Sequence, residues 1–500
     1  MAVSVRLEPS LLKPIRTMNP RLVSYNVEMT EVTGGTFWKA YTEAQIDGLE
    51  PVPAPDFTKG MAAMHQWYNP IDTANPRLIK LAKALGSCWV RVSGTWATKT
   101  YYDFENTGSV PEGYQNRLTK EQWISLLNFV RAVDGKLMIS VANCDGLHAA
   151  HEPWNPSQAE KIFALSKAEG VPVAAVEFCN EPNMIEITGF PKGYTPADFR
   201  RDQDLFHRWV RQNYPECIIV GPSDTDPAAM RDENTPGGGA GIADAIKSCT
   251  TEELMDGCTE KLDVFSHHYY NGISERMAPM MPSAYTPADQ AMSESYLGMA
   301  GFCARCFAKY RDKYVPGGEM WVTESGDAGA GGHTWASTYL EVPRTLNELG
   351  DFATVTNGVI FHNTLASSDY GWLKHGTFLP RPSYFAVLLW KKLMGNTVYD
   401  TAEPRREGAH VYAHDRADGK PGAAYLVINT SWTETTTVHL PGAAEVYALT
   451  GNGKMRSRTM LLNGNELALG EGDALPPLEG VTVPAGELAV APGSCTFIVL

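Results

Sequence analysis

Between residues 20 and 370, short and nearly continuous apolar runs alternate with longer stretches of helical periodicity. The runs are "RLVSYNVEM" (21–29), "CWVRVSG" (88–94), "KLMISVANC" (136–144) and "PVAAVEFCNEPN" (172–183). They continue with "CIIVGPSD" (217–224), "LDVFSHHYY" (262–270), "EMWVTESGD" (319–327) and "GVIFHNTLA" (358–366). Apolar runs of this kind fit parallel strands covered on both faces. Segments between them, such as "KEQWISLLNFVRAV" and "PADFRRDQDLFHRWVRQNY", are patterned as helices. Eight strand-then-helix units predict an α/β fold of the (β/α)8 barrel type. An open doubly wound sheet is the competing arrangement, but no Gly-rich phosphate fingerprint follows the first strand. After "SYFAVLLWKKLMGN" (383–396) the texture changes to short β-rich segments such as "AAYLVINT" and "CTFIVL", separated by Gly, Pro and Asn. This predicts a C-terminal antiparallel β-sandwich. The opening segment "AVSVRLEP" has no helix of its own and is expected to complete that sandwich. The expected division is a barrel over 16–385 and a sandwich of 1–15 plus 386–500.

The polar residues gather at the C-terminal ends of the strands. A barrel keeps its chemistry there, because the loops after the strands form the mouth while the interior is packed. Strand four runs into Asn180 and Glu181, and strand six ends on His267, His268, Tyr269 and Tyr270. Strand seven carries Glu324, and strand eight leads to Ser368, Asp369 and Tyr370. A lone carboxylate at a strand end is ordinarily a structural, hydrogen-bonded group. Two of them, on strands four and seven, face each other across a barrel. Such a pair can flank a glycosidic bond, one protonating the leaving oxygen while the other attacks the anomeric carbon. The amide of Asn180 can then hydrogen-bond the sugar hydroxyl beside the reacting carbon. Adjacent His267 and His268 point to opposite faces of a strand, so they cannot readily share a metal ion, and no metal site is expected. They read instead as a polar wall, with Tyr269 on the face of His267 and able to hydrogen-bond the nucleophilic carboxylate.

Composition narrows the partners. Lys and Arg number 42 against 57 Asp and Glu, for a net charge of −15. That argues against a nucleic-acid binder and against densely sulfated polyanions. No apolar run reaches the roughly 18 residues of a membrane span, so no membrane partner is expected. Of the nine cysteines, Cys88, Cys144, Cys179 and Cys217 lie in or beside apolar runs and read as reduced core residues. The "CARC" of Cys303 and Cys306 has no second pair for a metal, and Cys249 with Cys258 would bridge only in a secreted protein. The first twenty residues lack the apolar core of a signal peptide, and a cytoplasmic location is expected.

The stretches "EFCNEPN", "SHHYYNG", "WVTESGDAGAGG" and "DYGWLKHGTFLPRPSYFAVLLWKKLMG" resemble glycoside hydrolase family 79, which comprises the heparanases and the plant and microbial β-glucuronidases. The resemblance covers roughly residues 20–400 in order. It implies a retaining exo-β-glucuronidase, without a cofactor, that releases terminal β-D-glucuronosyl residues from a glycoside or oligosaccharide through a covalent glycosyl-enzyme. It assigns the acid/base to Glu181, the nucleophile to Glu324 and the 2-hydroxyl contact to Asn180. It also implies that Tyr370 and the backbone amides of Ala330 and Gly331 hold the uronic carboxylate. There are departures from the family. Asn26 stands where heparanases have an aspartate that contacts the sugar, with Glu28 two residues on and on the same face; either can hold the 4-hydroxyl. Gly329 replaces the tyrosine of the human-type Gly-rich loop. Long loops at 37–75 and 273–297 either wall off the cleft or lengthen it. The alternatives are a heparanase-like endo-β-glucuronidase acting on a uronic-acid polysaccharide, and a carbohydrate-binding protein without catalysis. The presence of both Glu181 and Glu324 counts against the latter.

Overall fold

The computed structural model describes residues 3–225 and 248–500; residues 1–2 of the expected N-terminal strand and 226–247 of the expected barrel lie outside the described residues. All eight expected strands form. They are β1 (Val23–Glu28), β2 (Trp89–Ser93), β3 (Lys136–Ser140), β4 (Val173–Glu177), β5 (Ile218–Asp224), β6 (Val264–Tyr270), β7 (Met320–Gly326) and β8 (Ile360–His362). All are parallel, and they close into a barrel in chain order. The helices after them are α1 (Pro76–Ala84), α2 (Lys120–Ala132), α3 (Ser157–Ala168), α4 (Pro196–Asn213), α5 (Thr251–Met255), α6 (Glu294–Tyr314), α7 (Glu341–Val355) and α8 (Pro382–Leu393). Their starts are written locally. Thr119 and Thr195 accept from the third backbone N–H of α2 and α4, with Gln122 and Asp198 reaching back to complete capping boxes. Asn75 caps α1 ahead of Pro76, whose missing N–H costs nothing at the first position.

Inside the barrel, Trp89, Met138, Ala175, Val220, Val264, Trp321, Val359 and Phe361 form one apolar cluster drawn from every strand but β1. This plug makes the interior a packed core and leaves the C-terminal mouth as the place where polar groups can stand.

The strands before β1 and after α8 build two sheets. Lys13–Thr17, Met394–Asp400, His410–Arg416, Ala423–Ile428, Cys495–Val499 and Ala444–Gly451 are consecutive neighbours in the larger one. Ser4–Arg6, Thr436–Leu440 and Gly486–Val490 form the smaller. Val5, Val438 and Val490 from the small sheet pack on Tyr425, Val427 and Ile498 from the large one. The N-terminal segment therefore supplies a strand to each sheet. Its pairing departs from the all-antiparallel expectation, because Ser4–Arg6 runs parallel to Thr436–Leu440. No hairpin joins those two strands, so no turn dictates an antiparallel direction. Two elements also cross the expected boundaries: Lys13–Thr17 spans residue 16, and α8 continues past 385 to Leu393.

These sheets reach the barrel mouth through the turn near residue 456. Arg458 pairs with Glu43 at 3.0 Å and Asp47 at 3.1 Å in the long β1–α1 connection, and Arg456 donates to Thr334 in the loop after β7. Cys88, Cys144, Cys179, Cys217, Cys258, Cys303 and Cys495 are free thiols. Among the described residues no helix is long and apolar enough to cross a membrane.

Candidate active site

Above the apolar plug lies a polar layer centred on an ion pair. Arg91 of β2 and Glu177 of β4 are both fully buried, with Arg91 Nη2 donating to Glu177 Oε1 at 2.6 Å. Ser93 donates to Oε1 at 2.7 Å and Ser223 to Oε2 at 2.6 Å, so the carboxylate's lone pairs are used inside the protein. A buried pair of this kind offsets its desolvation cost only when its remaining hydrogen-bonding groups are satisfied, which these hydroxyls accomplish. Arg91 Nη2 also donates to Asn180 Oδ1 at 2.8 Å, and Nη1 reaches Glu324 Oε1 at 3.4 Å.

The two candidate carboxylates stand on this layer. Glu181 sits four residues past the end of β4 in the left-handed backbone region (φ 47°), where its N–H donates to Ser223 O at 3.1 Å. A non-glycine residue pays about 1–2 kcal/mol for that conformation, and such strain gathers at functional sites. Glu324 projects from β7. His268 Nδ1 lies between the two, 3.1 Å from Glu181 Oε1 and 3.3 Å from Glu324 Oε2. One oxygen of each carboxylate and this nitrogen all fall within 4.8 Å of one another. Tyr270 donates its hydroxyl to Glu324 Oε2 at 3.0 Å, and Asn363 Nδ2 donates in turn to Tyr270 Oη at 2.9 Å and Tyr370 Oη at 3.2 Å.

The electrostatics separate the two acids. Burial alone would raise Glu324, but the charge and hydrogen bond of His268, then Arg91 and Tyr270, hold it down at about 2. Burial raises Glu181 above the usual carboxylate range, reinforced by the negative charge of Glu324 and only partly opposed by His268. His268 is itself pushed up to about 9: burial works against its charge, and the facing carboxylates overcome that. One carboxylate is thus pushed toward the ionised form and its neighbour toward the protonated form, the division that acid/base chemistry at a single bond requires. The Glu181, His268 and Glu324 atoms are close enough to ligate an ion, but a divalent cation would have to displace the shared imidazole proton and sit beside Arg91.

A cavity of about 750 Å³ opens over these groups. Glu28, Asn180, Glu181, His268, Tyr270, Glu324, Asn363 and Tyr370 line its floor. Gly94, at φ 88°, lets the chain pass Glu28: a Cβ there would lie 1.6 Å from Glu28 Oε2. One wall comes from the 37–75 segment, which folds into a two-stranded ribbon (Gly35–Trp38 with His65–Tyr68) and contributes Phe37, Trp38 and His65. Another comes from the 273–297 segment, with Met277, Met281 and Tyr285.

No family model matches the chain. Heparanase-like protein 1 of Arabidopsis thaliana is 24% identical over 487 residues, covering 86% of this chain and 85% of that protein. The baicalin-β-D-glucuronidase of Scutellaria baicalensis is 30% identical over 317 residues, covering 61% of this chain and 55% of that protein. The chain is similar over most of its length to heparanase-like proteins. Among solved structures, the 4-O-α-L-rhamnosyl-β-D-glucuronidase of Fusarium oxysporum shares the fold, with a TM-score of 0.63, 13% identity and all of both chains covered.

In this heparanase-like chain the site brings together Glu181, Glu324, Asn180, Glu28, Tyr370 and Ala330 as the sequence suggests. Tyr269 also lines the cavity, though not beside Glu324, and three expected residues fall outside the lining. His267 points out of the barrel, stacking on Phe307 of α6 with ring centroids 4.0 Å apart, and burial lowers it to about 3. Tyr269 shares that outward face at the edge of the cavity, and its buried hydroxyl has no hydrogen-bond partner among the described residues, so it does not bond Glu324. The inward pair is His268 and Tyr270. Alternation along β6 was legible, but its phase was not, because both faces are buried and nothing local distinguishes them. Asn26 lies below the cavity, donating to Thr323 O at 3.1 Å, so Glu28 is the first-strand residue at the wall. Gly331 is packed behind the wall, where a Cβ would lie 2.6 Å from that of Trp38; Gly329 and Ala330 form the lining instead. Sequence reasoning passed over Arg91, Glu177 and Asn363, and on strand six it gave the contact with the nucleophile to Tyr269 where Tyr270 makes it. The signal for the first two was present: single charges inside otherwise apolar strands, "CWVRVSG" and "VAAVEF".

Proposed function

We propose that the chain is a retaining exo-β-glucuronidase. The observation that carries this reading is the Glu181–Glu324 pair, with oxygens within 4.8 Å and protonation pushed in opposite directions. Retaining glycosidases hold their carboxyl groups about 5–5.5 Å apart, whereas inverting ones need about 6.5–9.5 Å to admit a water. In the first step Glu324 attacks the anomeric carbon while Glu181 gives its proton to the departing oxygen. Glu181, now ionised, takes a proton from water as that water attacks the same carbon and frees Glu324. Two inversions return the original configuration. Asn180, with its carbonyl oxygen held by Arg91, has its amide nitrogen available for the 2-hydroxyl.

The uronic acid is read by neutral donors. Burial raises the Tyr370 phenol well above its ordinary value, so it keeps its proton, and Asn363 donates to its oxygen and leaves the O–H for a ligand. The Ala330 carbonyl is taken up by Ser274 and Arg276, at 3.0 and 2.8 Å, while its N–H bonds to no protein acceptor among the described residues. The ribbon carrying Trp38 packs against Gly331 beside these donors, which supports closure of that end of the cavity and hence action on a terminal residue. Tyr370→Phe tests the sugar. A hydrogen bond to a charged group contributes about 1.5–3 kcal/mol, so kcat/KM on a glucuronide is expected to fall about ten- to a hundredfold. The corresponding glucoside, with no carboxylate to lose, is expected to change little. Equal losses on both would mean that Tyr370 shapes the pocket without reading the acid.

The pH profile tests the role of His268. Catalysis needs Glu324 ionised and Glu181 protonated, so activity holds between the lowered value of the first and the raised value of the second. His268 lowers both carboxyls. His268→Gln is therefore expected to move both limbs of the kcat/KM profile to higher pH. A profile that keeps its position while only its height falls would contradict the assignment.

A further inference from the structure

The catalytic reading leaves a large part of the cavity unused. Glu181, the proton donor, is followed directly by a turn in which Met184 N–H donates to Glu181 O and Ile187 N–H to Met184 O, each at 3.0 Å. Met184, Ile187 and Thr188 of this turn line the cavity next to the acid, the side on which a leaving group must lie. Facing walls add Met277, Met281 and Tyr285 from the β6–α6 connection and Met299 from α6. Among the described lining residues Lys99 is the one lysine or arginine, and its Nζ lies over the Trp96 ring at 4.3 Å. Ile187 is 59% exposed and Met61, also at the cavity, 48%, so apolar surface is presented where a ligand would cover it.

From this lining we infer that the chain carries a leaving-group site for a lipophilic aglycone, an alkyl or aromatic alcohol, in preference to another charged sugar. The inference rests on the glucuronidase reading for the sugar and on the lining for the rest. A charged saccharide would need cations and paired polar groups along this wall, and burying its hydroxyls and carboxylates against methionines would leave them unpaired. Methionine side chains are flexible and polarizable, and they accommodate apolar ligands of differing outline. Ether oxygen is all the aglycone must offer to the chemistry, since Glu181 supplies the proton that replaces the C1–O bond.

The test is a homologous alkyl series from methyl to octyl, which holds leaving-group acidity nearly constant while apolar area grows. It is run in parallel as β-glucuronides and as β-glucosides, so that the sugar turned over reports on the proposed function and the trend along either series reports on this site. kcat/KM is expected to rise about two- to fourfold per added methylene until the wall is filled. Met184→Gln with Met281→Gln is expected to flatten that rise. Ile187→Ser, at an exposed position where folding is not at stake, is expected to do so more weakly. A flat series in the unmodified protein would overturn the inference, as would a lower KM for a glucuronosyl disaccharide than for octyl glucuronide. Turnover of glucosides alone, still rising with chain length, would remove the sugar assignment and leave this site standing.

Discussion

Glu324→Gln is expected to lower kcat by about 10⁴-fold or more on every substrate, activated or not, while the protein still folds. The amide has nearly the shape of the carboxylate, so the loss reports the missing nucleophile and its missing charge. That charge is strongly prepared for its role: His268 and Arg91 hold the acid at about 2, and Tyr270 fixes the orientation of Oε2. Without it neither the covalent intermediate nor the electrostatic support of a positively charged ring is available. A smaller side chain sharpens the test. Glu324→Gly opens space on the face that the carboxylate attacks, and added azide is expected to restore turnover with inversion, giving an α-glycosyl azide. Recovery of a β-configured product, or an ordinary rate in Glu324→Gln, would remove Glu324 from this role. Nuclear magnetic resonance of the first-formed sugar in the unmodified protein gives the complementary reading, and a released α-anomer would exclude retention.

The second large effect belongs to Glu181 and depends on the leaving group. General acid assistance contributes about 10²- to 10⁴-fold, and a poor leaving group such as an alkyl alcohol needs nearly all of it. Glu181→Ala is therefore expected to cost up to about 10⁴-fold on alkyl glycosides. Activated aryl glycosides, whose phenolates depart without a proton, should lose far less in the first step. The alkaline limb of the pH profile should disappear with the side chain, because burial and the neighbouring Glu324 charge are what raise its titration in the unmodified protein. Equal losses on alkyl and aryl substrates would mean that Glu181 supports the loop at residues 180–188 and does not transfer the proton. The two variants are also distinguished from each other, since only Glu181→Ala separates substrates by leaving group.

The barrel was readable from hydrophobic patterning because parallel strands covered on both faces must be apolar almost throughout, and the helices between them carry their own periodicity and caps. Glu181 and Glu324 were readable for the converse reason. A carboxylate directly beyond a strand that must be buried is costly unless something requires it there. Arg91 and Glu177 carried the same signal more faintly, since either alone resembles a stray charge and only their 2.6 Å contact makes them a pair.

What patterning along one chain could not decide is which way a doubly buried strand turns. In β6 both sets of alternate residues are enclosed, one against the barrel axis and the other against α6, so His267 with Tyr269 and His268 with Tyr270 are locally equivalent. The choice is made by the register of β6 against β5 and β7, which places Ser266 beside Ser223 and turns His268 toward the carboxylates. The same holds for Asn26 and Gly331. Each is near the site in sequence, yet one lies beneath the floor and the other behind a wall, because depth in a barrel depends on where a strand stops relative to its neighbours. Residue types and spacing determine that a carboxylate pair stands at a barrel mouth. Which side chains surround it, and so which proton each acid keeps, is set by contacts among strands hundreds of residues apart in the chain.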